Sequence, residues 1–300
     1  MSQVTLDNHQ LRLVVDPAHG LNVYAFSAFH RGAWLPIMPD TRDGGVDLKE
    51  SSFLMVPYSN RIENGLFTFG GRTHRLAHGE QHAIHGDVRM RPWAVEVESD
   101  HRIRCAFDSR QHQGVNWPWP FTAVAEYTLF DWTLIAQLTL TNQGDSPMPA
   151  GFGWHPYYSR SLTRADEPVQ LQFNVQGVYP DANNNRIPSG PVQPPAPHQD
   201  FRTARPLPPD QFLDMCCYGY DGAGTIAWPE SGITVRYRCS PECAHLVMYN
   251  PPKPYFAVEP VTNANNGVNL LAQGDPTSGV RVLQPGESLS ATFETLVEAL

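Results

Sequence analysis

The sequence predicts an all-β protein, a large antiparallel β-sandwich, and three observations carry that expectation. β-type runs, alternating or continuously apolar, recur along the chain. Turn residues separate them, and 28 prolines and 23 glycines among 300 residues suit many turns and few helices. Almost no segment keeps a helical period over an ordinary helix length. In chain order the predicted strands cover residues 11–15, 21–29, 102–107, 122–130, 133–140, 170–175, 232–237, 245–249 and 288–297.

The clearest hairpin joins Ala125-Glu126-Tyr127-Thr128-Leu129-Phe130 to the run from Thr133 to Leu140 through a tight turn at Asp131-Trp132. Its second strand leads through Asn142-Gln143-Gly144-Asp145 to Gly153-Trp154-His155-Pro156. That order places His155 where a core strand meets the surface, a usual location for site residues. The densest proline cluster, about 188–209, includes Pro194-Pro195 and Pro208-Pro209. It reads as a long ordered surface loop rather than a linker, because candidate site residues lie on both sides of it. A single domain over 1–300 follows, with no repeat of the kind that marks propellers or solenoids.

With 41% apolar content the chain can bury a full core. A formal charge of -9, a pI near 5.7 and no block of lysines or arginines leave no basic footprint, so nucleic acid is not an expected partner. The first residues lack a basic segment followed by an apolar one, and no apolar run approaches a membrane span, so the expected location is the cytoplasm, with no membrane partner. Cys105, Cys216, Cys217, Cys239 and Cys243 form an odd set without a disulfide-framework pattern. Cys239, Cys243 and His245 invite a zinc reading, yet a fourth ligand is not evident and buried apolar thiols are the better account. No phosphate-cradling loop or dinucleotide fingerprint is present, and neither a metal nor another cofactor is expected.

Tyr255-Phe256-Ala257-Val258-Glu259-Pro260 places one carboxylate inside an apolar strand that a proline ends. Alternation puts Tyr255, Ala257 and Glu259 on one face and Phe256 and Val258 on the other. A carboxylate beside an aromatic ring in a partly dry place has its pKa raised toward the range of a general base. The bland alternative is a carboxylate bonded to backbone amides at a strand end.

Upstream lie Ser59-Asn60-Arg61-Ile62 with Asn64-Gly65, then Ile84-His85-Gly86-Asp87, then Gly153-Trp154-His155-Pro156-Tyr157-Tyr158, then Leu213-Asp214. In order and approximate spacing these segments, with Glu259-Pro260, resemble the aldose 1-epimerase (galactose mutarotase) family over most of the chain. Asp87 and Val88 stand where a second glycine is common, and Tyr158 where phenylalanine is frequent. The resemblance implies a galactose mutarotase-like supersandwich and an isomerase of carbohydrate metabolism, acting on a small-molecule sugar without a metal, as a monomer or homodimer. It implies Glu259 as the base at the anomeric hydroxyl, His155 as the acid at the ring oxygen, and His85 as a second histidine near the reacting atoms. Asp214 would accept bonds from sugar hydroxyls, Arg61 would donate to them, and Asn60 would orient Arg61 or touch the ligand. The implied substrate is an aldohexose, or one carrying phosphate or sulfonate at its sixth carbon.

Each residue also has a plainer reading. His85 suits a turn residue bonded to backbone and His155 a packed corner before proline, while Arg61 can pair with Glu63 or Asp47 and Asp214 can cap a turn. His82 and His85, three apart, would face opposite ways on a strand, and His85 is preferred because Gly86 allows close backbone approach to a ligand. Among Trp117, Trp119, Trp154 and Tyr157, only Trp154 and Tyr157 are expected to touch a sugar. Arg75, Arg89 and Arg91 flank the His85 turn and suit either solvated surface charge or an anionic substituent. Competing functions are a non-catalytic sugar sensor, a glycoside hydrolase using Asp214 and Glu259, and a site where His85, His155 and a carboxylate hold a metal.

Overall fold

A computed structural model describes residues 3–299 and is β throughout, except for short 3-10 turns and one α-helix, Gly267–Ala272. Two large antiparallel sheets carry the chain. The first runs Val4–Asp7, Leu11–Asp16, Asn22–His30, Ser52–Met55, Gly153–Ser159, Tyr255–Val261, His245–Asn250, Leu213–Tyr218 and Gly177–Val178, with Ala33–Met38 also on Asn22–His30. The second runs Arg205–Pro206, Gln170–Phe173, Ala223–Trp228, Ile233–Cys239, Ser288–Ala299, Thr133–Asn142, Phe121–Phe130, Arg102–Asp108 and Ala94–Ser99. The apolar core lies between them, where Trp154 of the first sheet meets Phe293 of the second at 6.0 Å between rings.

All nine predicted runs fall on strands, and the hairpin closes as read, with Phe130 opposite Thr133 and Asp131 at φ +47 in the turn. The proline-rich stretch joins the two sheets at their ends. Val178 and Gln193 exchange backbone bonds of 2.8 and 3.0 Å, and Arg205–Pro206 then pairs with Gln170–Phe173. The cysteines are free, Cys239 half-buried and the rest buried, and burial pushes the Cys105 and Cys216 thiols up to about 12. Among the described residues, no group of three or more His, Cys, Asp or Glu side chains is arranged to hold a metal ion.

Gly153–Ser159 escaped the pattern reading because Pro156 breaks the usual rule for a strand flanked on both sides. Its neighbour Tyr255–Val261 carries Pro260 in the same way. The register between the two is unbroken, with Gly153 opposite Val261 and Tyr157 opposite Ala257, so His155 stands opposite Glu259. The Thr262 N–H donates to the Phe152 carbonyl at 2.8 Å, and the Phe152 N–H to Thr262 Oγ1 at 2.9 Å, which marks this pair as a bonded position. By alternation the next bonded pairs are Trp154 with Pro260 and Pro156 with Val258, and each has one proline without an N–H to donate. His155 and Glu259 occupy the non-bonded pair between them, the kind in which facing side chains approach most closely.

Candidate active site

Two lateral rows cross the outer face of the first sheet. Phe53, His155, Glu259, Val247 and Cys216 form one, through the pairings Phe53–His155, Val247–Glu259 and Cys216–Val247. Tyr157, Ala257, Tyr249 and Asp214 form the next. Side chains two apart share a face, so His155 and Tyr157 point outward while Trp154 and Tyr158 point to the core. Loops close a hollow of about 270 Å³ over these rows, lined by Asn60, Arg61, His85 and Arg186 together with His155, Tyr157, Asp214, Tyr249 and Glu259.

His155 Nε2 lies 3.1 Å from Glu259 Oε1, with both side chains almost fully buried. The remaining heteroatoms, His155 Nδ1 and Glu259 Oε2, are buried without a partner among the described residues. Buried polar atoms are rarely left so, and at a site they are available to a ligand. Burial pushes Glu259 well above the usual carboxylate range, the Asp214 charge adds to this, and Arg61 opposes it. Burial likewise holds His155 well below an ordinary imidazole, helped by His85 and Arg89. Both shifts favour uncharged forms, so the pair holds one proton between two atoms in hydrogen-bond reach.

His85 stands at right angles to His155, ring centres 5.4 Å apart. Its Nδ1 lies 3.1 Å from the Ser59 carbonyl, which can only accept, so Nδ1 carries the hydrogen and Nε2 keeps a lone pair. Burial lowers its pKa to about 4. Gly86 serves this turn differently from the sequence reading. At φ +70, a Cβ there would lie 2.1 Å from the Val56 carbonyl oxygen, so the glycine is needed for the close approach to the chain's own backbone at Val56. Gly86→Ala is therefore expected to cost on the order of 2–4 kcal/mol in denaturant unfolding and to lower activity through His85. A stability within 0.5 kcal/mol of the parent, roughly the scatter of a neutral surface change, would refute the steric account.

Asn60 Oδ1 accepts from the Arg61 backbone N–H at 2.8 Å and from Arg61 Nη1 at 3.1 Å, so it holds the guanidinium while also lining the hollow. Arg61 bonds neither Glu63 nor Asp47; Asp47 instead takes Lys253 at 2.8 Å. Asp214 is held by Arg186, Nε to Oδ2 at 2.7 Å. Arg186, Val247 and Tyr249 also line the hollow although the sequence suggested none of them as site residues, and Arg186 was hidden because it lies in a turn-rich segment with no strand pattern to orient it.

Trp154 does not join the hollow. It is 2% exposed on the core face against Phe293, one residue out of phase with His155, so the expected sugar contact gives way to core packing. Tyr157 does line the hollow. His82 lies outside it, its Nδ1 accepting the Asn64 backbone N–H at 2.9 Å. Asp87 turns to Arg91, 2.6 Å away, and lines a neighbouring cavity instead. Arg75 is exposed on the hairpin Leu66–Phe69 with Arg72–Arg75. Arg89 is half-buried and not free: it pairs with buried Glu50, and its guanidinium carbon lies 3.7 Å from the centre of the Phe53 ring.

Buried neutral histidines make a stability prediction. His85 and His245 both fall from 6.5 to about 4, chiefly through burial. The unfolded chain takes up these protons below about 6.5 while the native state refuses them until about 4, so native stability falls as pH drops through that window. Each contributes on the order of 3 kcal/mol. Glu259 acts in the opposite sense, its raised pKa costing stability at high pH and relieving that cost as pH falls. A denaturant midpoint that is flat from pH 7 to 4 would contradict this balance.

A two-sheet sandwich with a buried imidazole–carboxylate pair under a polar, loop-walled hollow defines a class of small-molecule site rather than a macromolecular groove. The family model for aldose 1-epimerase matches residues 43–295, and the chain belongs to that family. Among curated relatives, the uncharacterized protein YphB of Escherichia coli (strain K12) is 26% identical over 315 residues and all of both chains. The uncharacterized protein YihR of the same strain is 29% identical over 131 residues, 42% of this chain and 41% of its own. Among solved structures, a putative aldose 1-epimerase from Escherichia coli K12 superposes with a TM-score of 0.84 at 23% identity, over 100% of this chain and 99% of its own. The GalM/aldose epimerase homologue from C. elegans gives 0.80 at 15% identity, over 100% and 99%. These structural likenesses bear on the fold, a galactose mutarotase-like sandwich. No helix among the described residues is long and apolar enough to cross a membrane.

Proposed function

We propose that the hollow is the active site of an aldose 1-epimerase that interconverts α and β anomers of an aldohexose by acid/base ring opening. The observation that carries this is the buried contact of 3.1 Å between His155 Nε2 and Glu259 Oε1. Ring opening needs one proton removed from the anomeric hydroxyl and one delivered to the ring oxygen. A pair holding a single proton does both. In its charge-separated form Glu259 accepts the anomeric proton while His155 donates to the ring oxygen, which leaves protonated Glu259 beside neutral His155. After the aldehyde carbon rotates, the reverse transfers close the ring on the other face and restore the pair without exchange with water. His85 Nε2, a lone-pair acceptor, takes a bond from a sugar hydroxyl.

Activity then requires the singly protonated pair. A second proton enters only below the ordinary histidine range because His155 is depressed, and the last leaves only above the ordinary carboxylate range because Glu259 is raised. The expected profile of kcat/KM is a plateau across neutral pH with both limbs belonging to the pair. A single rise through about 6.5, the ordinary imidazole value, would contradict it.

A neutral aldohexose is the favoured substrate, since Arg89 and Arg91 already pair with Glu50 and Asp87. A second reading, a hexose with phosphate or sulfonate at its sixth carbon, draws support from a cavity of about 560 Å³ that shares His85 and carries Lys49, Arg89 and Arg91. Anomer-resolved NMR exchange across neutral, phosphorylated and sulfonated aldoses, in excess chelator, tests the proposal. Accelerated exchange with chelator present supports metal-independent epimerisation. Binding without exchange would make the protein a sugar sensor, and new reducing ends from a glycoside would make it a hydrolase.

A further inference from the structure

Arg186 is delivered to the hollow by unusual backbone. Asn184 and Arg186 both adopt left-handed φ, +54 and +65, which non-glycine residues rarely hold unless their surroundings enforce it. The surroundings do so here. Asp181 accepts the backbone N–H groups of Asn185 and Arg186 at 3.0 and 2.9 Å, and Asn265 Nδ2 donates to the Arg186 carbonyl at 2.9 Å. Asn265 is 4% exposed and follows the strand that carries Glu259. Its neighbour Asn266 donates its backbone N–H to the Arg61 carbonyl at 2.6 Å. One asparagine segment therefore ties the backbones of both guanidinium-bearing residues that line the hollow.

The side chain is only partly committed. Nε donates to Asp214 Oδ2 at 2.7 Å and Nη1 to the Asn184 carbonyl at 2.8 Å. Nη2 and Asp214 Oδ1 have no protein partner among the described residues, and neither is enclosed. A fixed guanidinium–carboxylate pair thus presents one spare donor beside one spare acceptor, in the row of the sheet next to His155 and Glu259. Adjacent hydroxyls of a pyranose match that pattern, because one can donate to a carboxylate while its neighbour accepts from a guanidinium.

Resting on the epimerase reading, we propose that Arg186 is a specificity-determining residue, forming with Asp214 a clamp that reads two adjacent sugar hydroxyls away from the anomeric carbon. The clamp binds ground and transition states about equally, so its loss appears in KM rather than kcat. The bond is made by a charged donor, so Arg186→Met is expected to raise KM by roughly 10- to 100-fold with kcat within a few-fold of the parent.

The experiment is anomer exchange by NMR for the parent, Arg186→Met, Arg186→Lys and the double variant Arg186→Met/Asp214→Asn, using a preferred aldose and its monodeoxy analogues at each non-anomeric position. The parent should lose kcat/KM on removal of either of two adjacent hydroxyls, and Arg186→Met should be indifferent to one of them. Arg186→Lys, which keeps Asp214 paired but has one nitrogen instead of a fork, should recover thermal stability without recovering that discrimination. The double variant removes the effect of leaving Asp214 unpaired and should show the same indifference. An equal loss for every analogue in Arg186→Met and the double variant, or full recovery of discrimination by Arg186→Lys, would overturn the clamp and leave the epimerase intact. Absence of accelerated exchange on every aldose with the parent protein would overturn both.

Discussion

Glu259→Gln is expected to keep the fold and sugar binding while losing roughly 100- to 10,000-fold in exchange rate, the worth of one positioned base. The amide has the shape of the protonated acid, and its nitrogen can donate to His155 Nε2 across the same 3.1 Å. It imitates one of the pair's two states and cannot reach the other, so the proton that must leave the anomeric hydroxyl has no acceptor. Folding should not suffer, because Glu259 is 2% exposed and burial already disfavours its charge. The loss should appear in kcat with KM little changed. A rate within a few-fold of the parent, measured by anomer-resolved NMR, would remove Glu259 from the role of base.

His155→Ala should lose activity by a comparable factor, and far more than His82→Ala. The two histidines occupy different settings: His155 lies in the centre of the sheet against Phe53, ring centres 4.4 Å apart, while His82 only accepts an Asn64 backbone N–H outside the hollow. Removing the imidazole also leaves Glu259 buried without its partner, which pushes that carboxyl further toward its neutral form. His155→Asn, which keeps a polar group in the row, separates the chemical loss from a packing loss. Near-ultraviolet circular dichroism should be that of the parent in all three variants. Equal losses at His82 and His155 with that signal unchanged would show that the wrong histidine stands in the mechanism.

The sequence by itself determined the class of fold and singled out most of the residues that line the hollow. Alternation in runs such as 102–107 and 122–130 states which residues face a core, and that signal is local. The same alternation put Glu259 and Phe256 on opposite faces of their strand, as the structure has them. Resemblance in Asn60-Arg61, His85, His155 and Asp214 pointed to residues that the structure gathers around one hollow. Trp154 failed for a reason also present in the chain: it neighbours His155, and on a strand neighbours point apart.

Three things only the tertiary structure decided. Which strands stand side by side depends on pairings between residues about a hundred positions apart, so nothing local shows that His155 faces Glu259. Two prolines that read singly as strand breakers become, once the strands are paired, the flanks of a non-bonded position where an acid and a base meet. Arg186 enters the hollow because Asp181 and Asn265 hold its backbone left-handed, and Arg89 is tied down because Glu50 is buried beside it. A guanidinium looks the same in sequence whether it is solvated, paired or aimed at a ligand. Its partner is chosen by the folded chain, since hydrogen bonds and ion pairs act over a few ångströms in space and are blind to separation along the chain.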